Sequence, residues 1–440
     1  TGLERIKNLK KRNPYIKVLS RDSKINNVTK WFDSGVHPTK TIETYRGFRL
    51  TGSLNHPVLT WTKNGGRPFL EWKLMENIKK SDFCVISRKS KLFPKNSPLK
   101  KYYPRSKNRT FVKHHLPQKL TTDLAFILGA LVAEGNISKK QVGFCNSDRE
   151  LLYKFKKSFK NTFPDCRLHE YKRRPQGYTK KSYSSLEIHS IQIIEFLENL
   201  GLEPARAKDK KVPEIIFLSP KQSVASFLQG YVEGDGSAYL SGAPEISFTS
   251  MSKTLLQELQ ILLLRFGVDS SYRFQPSKKI YKLFIRSHTN LSLFKDQINF
   301  ISKRKKGKLA ELCKINEDQR VMSKTDYIPF VSDYIRCNKN YSKNFNWLKK
   351  HNLDRYPKID KYWQKLIKIL DKDDRKFLQE LRDQKYIFDK ITKIEDSGKK
   401  RVYSIKVDSS CHSFISNGFI SHNTEARLAK ISQEMLANLD

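Results

Sequence analysis

No run of about 18 apolar residues occurs in this 440-residue chain, the longest candidate being about Leu124 to Ala133, and its start is not signal-like. No membrane span or secretory route is therefore expected, and the chain reads as soluble and cytoplasmic. Cysteine is scarce. Cys84, Cys145, Cys166, Cys313, Cys337 and Cys411 are scattered without a C-x-x-C pair, which argues against zinc and against a disulfide framework. They read as reduced thiols, with only Cys411, beside His412, near candidate chemistry. Acidic residues are also few. The 44 Asp and Glu face 85 Lys and Arg, a formal charge of +41, which exceeds what solubility needs and suits a partner made of phosphates. Hydrophobic residues, at 38%, suffice for two or three cored domains.

From Ile16 to Ser87 the pattern predicts short alternating strands, such as Lys17-Val-Leu-Ser and Thr41 to Leu50, broken by Gly and Asn turns. A basic, proline-bearing linker follows from Arg88 to Lys119. At Thr121 the composition turns apolar and helical, and two similar blocks succeed one another. Residues 301–383 read as a Lys-rich helical stretch with Trp and Tyr, after which strands return at Tyr386-Ile-Phe-Asp and Arg401 to Val407. A β domain is thus split by a long insertion.

The first block contains Ile127-Leu-Gly-Ala-Leu-Val-Ala-Glu134-Gly135 and the second Leu228-Gln-Gly-Tyr-Val-Glu-Gly-Asp235-Gly236. In each, an apolar helix with small central residues (Gly129 and Ala130; Gly230) ends in an acid followed by Gly. Small residues allow two helices to pack closely, and a terminal Gly permits the turn that stops each helix. Glu134 and Asp235 would then meet at the negative ends of two helix dipoles, where both ionise only if a cation binds between them. Mg²⁺ is the expected ion, held by Glu134 and Asp235, and it would serve phosphodiester hydrolysis. The acids lie 101 positions apart, each followed by similar strand and helix material.

Basic and aromatic residues interleave after each acid, from Tyr171 to Tyr183 and from Tyr272 to Arg286. These segments predict twisted hairpins narrow enough for a major groove, with Lys172, Arg173, Arg174, Lys180 and Lys181 on the first and Arg273, Lys278, Lys279, Lys282 and Arg286 on the second. Double-stranded DNA is the expected partner. Two hairpins in one chain would read a pseudo-symmetric site as a monomer.

Both acid blocks resemble the LAGLIDADG motif of homing endonucleases. That resemblance implies catalysis by Glu134 and Asp235, with Lys210 in Lys-Lys-Val-Pro213 near the cleavage centre.

Near the end, Ser421-His422-Asn423-Thr424 follows an apolar, β-prone stretch that begins at His412. An Asn amide can attack its own backbone carbonyl to form a succinimide, with intramolecular geometry supplying the effective concentration. His422 would protonate the departing amide, and Thr424 offers a hydroxyl acyl acceptor. The segment resembles the C-terminal splice junction of an intein. Arg49 to Thr60, with Ser53-Leu-Asn-His56, resembles the intein Thr-x-x-His block, which implies that His56 protonates an upstream scissile amide and that Ser53 supports it. Ser404 stands where inteins often carry Asp. The start, Thr1-Gly-Leu-Glu-Arg-Ile6, resembles the interior of the first splicing block, implying that an upstream Cys or Ser nucleophile precedes it.

Residues 424–440 resemble the segment just after the catalytic tyrosine of the A-type polypeptide of DNA gyrase and topoisomerase IV, an ATP-hydrolysing gyrase-type host. The combined resemblance implies a bifunctional intein. Its all-β, horseshoe-like (Hint) splicing domain would be split by an α/β LAGLIDADG endonuclease with pseudo-twofold repeats. The expected boundaries are 1–118 for the first part of the splicing domain with its basic linker and 119–300 for the endonuclease (repeats about 119–218 and 219–300). A basic helical subdomain would cover 301–383, the second part of the splicing domain 384–423 and the host flank, joined in cis, 424–440. Splicing would need no cofactor. The alternatives are a DNA-binding protein with an inactive nuclease domain, or a topoisomerase fragment with an inert insert.

Overall fold

The computed structural model describes residues 6–12, 16–88, 92–99, 101–105, 112–175, 182–242, 244–318 and 326–423. Thr424 to Asp440, Lys180 and Lys181 lie outside them. The chain divides into two compact units, one spanning Lys91–Thr325 and the other joining Glu4–Ser90 to Asp326–Asp440.

The first unit is built twice from one plan. A first acid helix, Thr122–Glu134, leads into strands Gly135–Ile137 and Val142–Asn146, helix Arg149–Thr162, strands His169–Arg173 and Tyr183–Ile188, and helix Ile191–Asn199. The second acid helix, Lys221–Asp235, leads into strands Gly236–Tyr239 and Glu245–Ser250, helix Lys253–Arg265, strands Ser271–Gln275 and Ile280–Ile285, and helix His288–Gln297. Each set of four strands forms an antiparallel sheet in the order first, second, fourth, third. The basic segments are therefore hairpins, as the alternation predicts. Side-chain oxygens start the helices: Thr121 accepts from the Leu124 amide, Asp148 from Glu150 and Leu151, and Ser252 from Leu255.

Every residue from Leu124 to Ala133 is buried, so the longest apolar run is a core helix, hydrophobic all round because it has no solvent face. It packs along the second acid helix through glycine. A Cβ at Gly129 would stand 2.0 Å from the Phe227 carbonyl oxygen, and one at Gly230 would stand 2.4 Å from that of Phe126. Gly230→Ala must therefore force the helices apart. A loss of about 1–3 kcal/mol is expected, read as a lowered urea midpoint. The glycines after the acids work differently from the turn expected of them. Gly135 and Gly236 are extended, with φ of −82° and −92°, and need no left-handed freedom. A Cβ there would meet the Leu131 or Val232 carbonyl oxygen at 2.3 Å, so close backbone approach is what demands glycine.

The helical stretch expected over 301–383 is divided between the units. Helix Lys303–Asp318 turns Leu309, Leu312 and Cys313 into the core of the first unit, an i, i+3, i+4 face that the second repeat covers. The helices from Val331 onward belong to the second unit. There Trp61 anchors them: its ring stacks on Phe377 at 6.1 Å, contacts Phe388 at 4.7 Å, and its Nε1–H donates to the Pro329 carbonyl at 2.9 Å.

The second unit contains a nine-stranded sheet. Its strands are longer than the sequence suggests. Ile25–Thr44 pairs antiparallel with Ile387–Val407, so the two segments expected at Tyr386 and Arg401 are one strand. The turn-like residues Asp396-Ser-Gly398 and Asp33-Ser-Gly35 are absorbed as register shifts within the continuous ladder. Strands Ser413–Ser416 and Phe419–His422 form a hairpin whose second arm reaches Val58. A buried ion pair, Arg46 Nη1 to Asp389 Oδ1 at 3.1 Å, ties the two chain segments together.

Candidate functional site

Two groups of chemistry-bearing residues emerge, one in each unit. In the first unit the acid helices end side by side: a Cβ on Gly234 would come within 2.9 Å of Glu134 Cγ. Burial raises the pKa of Glu134, with Lys210 and Lys305 acting in the other direction. Asp235 is pushed up to about 7, first by burial and then by the Glu134 charge, against the opposing effects of Lys210, Tyr231 and Lys305. The sign of the linkage follows. An acid whose folded pKa lies above its ordinary value stabilises the fold below that ordinary value, and the contribution disappears as pH rises through about 7. Without divalent ions, Asp235→Asn is therefore expected to be the more thermostable protein above about pH 7, with its advantage shrinking toward pH 4. Thermal melts of both proteins across that range test this.

Lys210 Nζ donates to the carbonyls of Val132 and Ala133 at 2.8 and 3.0 Å, satisfying acceptors that a helix C-terminus leaves open. Lys305 has the matching place on the other helix, donating to the Glu233 carbonyl and to that of Gly236 at 2.8 Å. Burial lowers both ammonium pKa values, and carboxylates partly restore them: Asp235 and Glu134 for Lys210, Glu233 first for Lys305. Lys305 is absent from the residues expected from sequence, although the repeat pointed to it. Lys210 lies 76 residues beyond Glu134, and Lys305 lies 70 beyond Asp235. Glu233 was also missed. Its buried carboxylate accepts from the amides of Ile301 and Ser302 at 2.5 and 3.3 Å and from Ser302 Oγ at 2.7 Å, fixing the start of the helix that carries Lys305.

Among the described residues no group of three or more His, Cys, Asp and Glu side chains converges. A cation between the acid helices would rest on two carboxylates, backbone carbonyls and water. That donor set fits Mg²⁺, which retains waters and takes few carboxylates, and two half-buried carboxylates, Asp235 destabilised further by the Glu134 charge, favour such an ion.

The expected DNA-binding side chains divide by environment. Lys172, Arg174, Lys278 and Lys279 are exposed. Lys282 and Arg286 converge on the buried Glu245, at 2.6 Å from Oε1 and 2.6 Å from Oε2. Arg173 pairs with Glu187 at 3.2 Å and lies over Tyr171, while Arg273 lies over Phe284. Each sheet thus holds some of its basic groups on a carboxylate beneath and leaves others free for solvent or phosphate.

In the second unit the structure brings together His56, His412, Ser421, His422 and Asn423. The His56 amide donates to the Ser53 carbonyl at 3.0 Å, so Ser53 supports the histidine through its backbone. The His56 ring Nε2 lies 3.0 Å from Ser421 Oγ. Burial, then His422, lowers its pKa to about 4, leaving the imidazole neutral at ordinary pH. Asn423 is fully buried. Its amide N–H donates to the His412 carbonyl at 2.7 Å, and its Nδ2 donates to the Val407 carbonyl at 3.2 Å. Its Oδ1 has no hydrogen-bond partner among the described residues. The Asn423 carbonyl accepts from His422 Nδ1 at 2.6 Å. The His412 and His422 rings lie 6.0 Å apart, and Trp72 packs edge-on against His422 at 4.9 Å. Ser404 is buried in the long strand that ends at Val407. Cys411 Sγ sits 3.3 Å from Ser413 Oγ; burial would raise its pKa, but hydrogen bonds with the Ser413 and Ser409 hydroxyls and the Asp22 backbone together lower it.

A family model described as a LAGLIDADG-like domain matches residues 121–201 and 222–299, which are the two repeats. The DNA gyrase A polypeptide of Mycolicibacterium flavescens is 32% identical over 439 residues, covering 97% of this chain and 73% of the relative. The chain belongs to this DNA gyrase A family. Relatives outside the gyrase A family carry other names. DNA-directed RNA polymerase subunit Rpo1C of Methanocaldococcus jannaschii is 28% identical over 324 residues, 70% of this chain and 36% of the relative. Glutamine–fructose-6-phosphate aminotransferase of the same organism is 28% identical over 325 residues, 70% of this chain and 28% of the relative. Among solved structures, I-DmoI in complex with DNA and Mn aligns with a TM-score of 0.32 at 15% identity, covering 41% of this chain and 98% of that one.

Proposed function

We propose that the chain is a self-splicing intein of the gyrase A family with an inserted, Mg²⁺-dependent homing endonuclease. The observation that carries the splicing half is the buried Asn423, with His422 Nδ1 on its carbonyl. Attack by Nδ2 on that carbonyl carbon would close the succinimide and break the Asn423–Thr424 bond, the proton lost by Nδ2 passing to the departing Thr424 nitrogen. His422 N–H sits where negative charge would develop on the carbonyl oxygen, and Val407 holds the attacking amide. This role differs from the leaving-group protonation expected of His422. His56 would serve the upstream junction, where a neutral imidazole can accept and return a proton. Similarity of about 70% of the chain to parts of an RNA polymerase and of an aminotransferase supports an insert, because those proteins share no activity with gyrase. We assign the Hint-type splicing domain to the β-rich unit and the host flank to 424–440.

The endonuclease half rests on the paired acid helices. Glu134 and Asp235 would hold the ion, and Mg²⁺ bound there would supply an activated water and charge stabilisation for phosphodiester hydrolysis. Lys210 and Lys305 would each offset charge at one strand, while the hairpins hold the duplex. The natural test substrate is a supercoiled plasmid carrying the uninterrupted host gene junction. Linearisation that stops with EDTA is expected. Lys210→Met or Lys305→Met should each slow one strand on the order of 10²-fold and accumulate nicked circles. Absence of any cutting by the parent chain would favour the reading of a DNA-binding protein with an inactive nuclease.

A further inference from the structure

The helices of the second unit between residues 339 and 370 have no part in either reaction described above. Over that segment nine Lys and Arg face two acids, Asp354 and Asp360. Both acids are engaged: Asp354 with Lys358 at 2.9 Å and Arg355 at 3.4 Å, Asp360 with Arg382 at 2.7 Å and Lys385 at 3.3 Å. Lys349, Lys350, Lys361 and Lys365 are exposed and form no ion pair among the described residues. Three short helices, Phe345–His351, Tyr356–Lys361 and Trp363–Ile369, bring them together. Trp347 and Tyr362 meet at 5.5 Å and His351 and Tyr362 at 4.3 Å. Lys365 Nζ lies 4.4 Å above the Trp347 ring, and Lys361 Nζ lies 5.5 Å from that of Tyr362.

We propose that this cluster is a second nucleic-acid surface, carried by the β-rich unit itself, on which Lys349, Lys350, Lys361 and Lys365 take the phosphate backbone of double-stranded DNA. The Trp347 and Tyr362 rings act as a platform that holds Lys365 and Lys361, with Lys349 and Lys350 exposed on the helix that carries Trp347. His351 reports the local field: slight burial and then the charges of Lys350, Lys365, Lys361 and Lys358 lower its pKa, so positive charge accumulates there unrelieved. An acidic protein partner fits less well. Protein interfaces are anchored by desolvated apolar and aromatic groups and are depleted in lysine, whereas Leu348, Ile359 and Leu366 are turned into the core and Phe345 is the one large apolar side chain of the segment left exposed. A phosphate backbone needs only positioned cations.

The test uses the full chain and a duplex of about 30 base pairs of random sequence, with affinity measured against salt. Each lost phosphate contact removes about 0.9 from the slope of log K against log salt. The quadruple variant Lys349→Gln, Lys350→Gln, Lys361→Gln, Lys365→Gln should therefore show a slope smaller by about 3–4, with binding by the other unit retained. In the unsubstituted chain the same duplex should protect these four lysines from amine-reactive labelling, read by mass spectrometry. An unchanged slope, or four lysines labelled equally with and without DNA, overturns the proposal. Neither readout depends on cleavage or splicing, so failure here is separate from failure of those activities.

Discussion

Asp235→Asn or Glu134→Gln is expected to reduce plasmid cleavage by about 10³-fold while leaving DNA affinity nearly unchanged. A bound divalent ion contributes several kcal/mol of charge stabilisation, and each 1.36 kcal/mol is a factor of ten in rate. The two carboxylates lie at helix ends whose dipoles and burial oppose their ionisation, so each neutral amide removes both an ion ligand and the reason for the ion to bind. The proposed duplex contacts lie elsewhere, on strands such as His169–Arg173 and Ser271–Gln275, so gel-shift affinity should stay close to that of the parent. Loss of binding together with cutting would instead mean that the substitutions disrupt the helix pair.

The second large effect is expected at Asn423. Asn423→Ala should abolish release of residues 424–440, because ring closure requires a side-chain carboxamide joined through one methylene to the Cα whose carbonyl carbon is attacked. His422→Ala should slow release on the order of 10²-fold, the cost of one oxyanion donor, since its Nδ1 is 2.6 Å from the carbonyl oxygen that would take the charge. His56→Ala should leave this step largely intact. His56 bonds Ser421, and among the described residues its ring makes no hydrogen bond to the Asn423 carbonyl. Peptide release followed by mass spectrometry separates the three outcomes.

The parts of this architecture that repeat were legible in the sequence. Glu134 and Asp235 stand out because an apolar helix ending in acid and glycine occurs twice, and the hairpins follow because alternation is a local property of the chain. Lys305 and Glu233 were hidden for a different reason. Each acts across about 70 residues of sequence, so only the spacing of the repeat hints at Lys305, and a lysine among many lysines shows no burial until the fold closes over it. The long pair Ile25–Thr44 and Ile387–Val407 was read as fragments because Asp, Ser and Gly suggest turns locally, while a continuous partner lets a ladder absorb them as bulges. The His422–Asn423 pair was visible as a motif. Its orientation, with the imidazole on the carbonyl, depends on how strand Phe419–His422 pairs with Ser413–Ser416 and places Asn423 against Val407 and His412.

Under the proposed function the chain excises itself and joins its flanks. The most direct test is the intact mass of a precursor in which a host flank and a Cys-led first block precede Thr1 and the host segment continues after Thr424. Two products are expected: a chain ending at Asn423 that is one water lighter than its free acid, and the two flanks joined by a peptide bond. Persistence of the unprocessed precursor, with no such pair of masses and no difference from Asn423→Ala, would contradict that function.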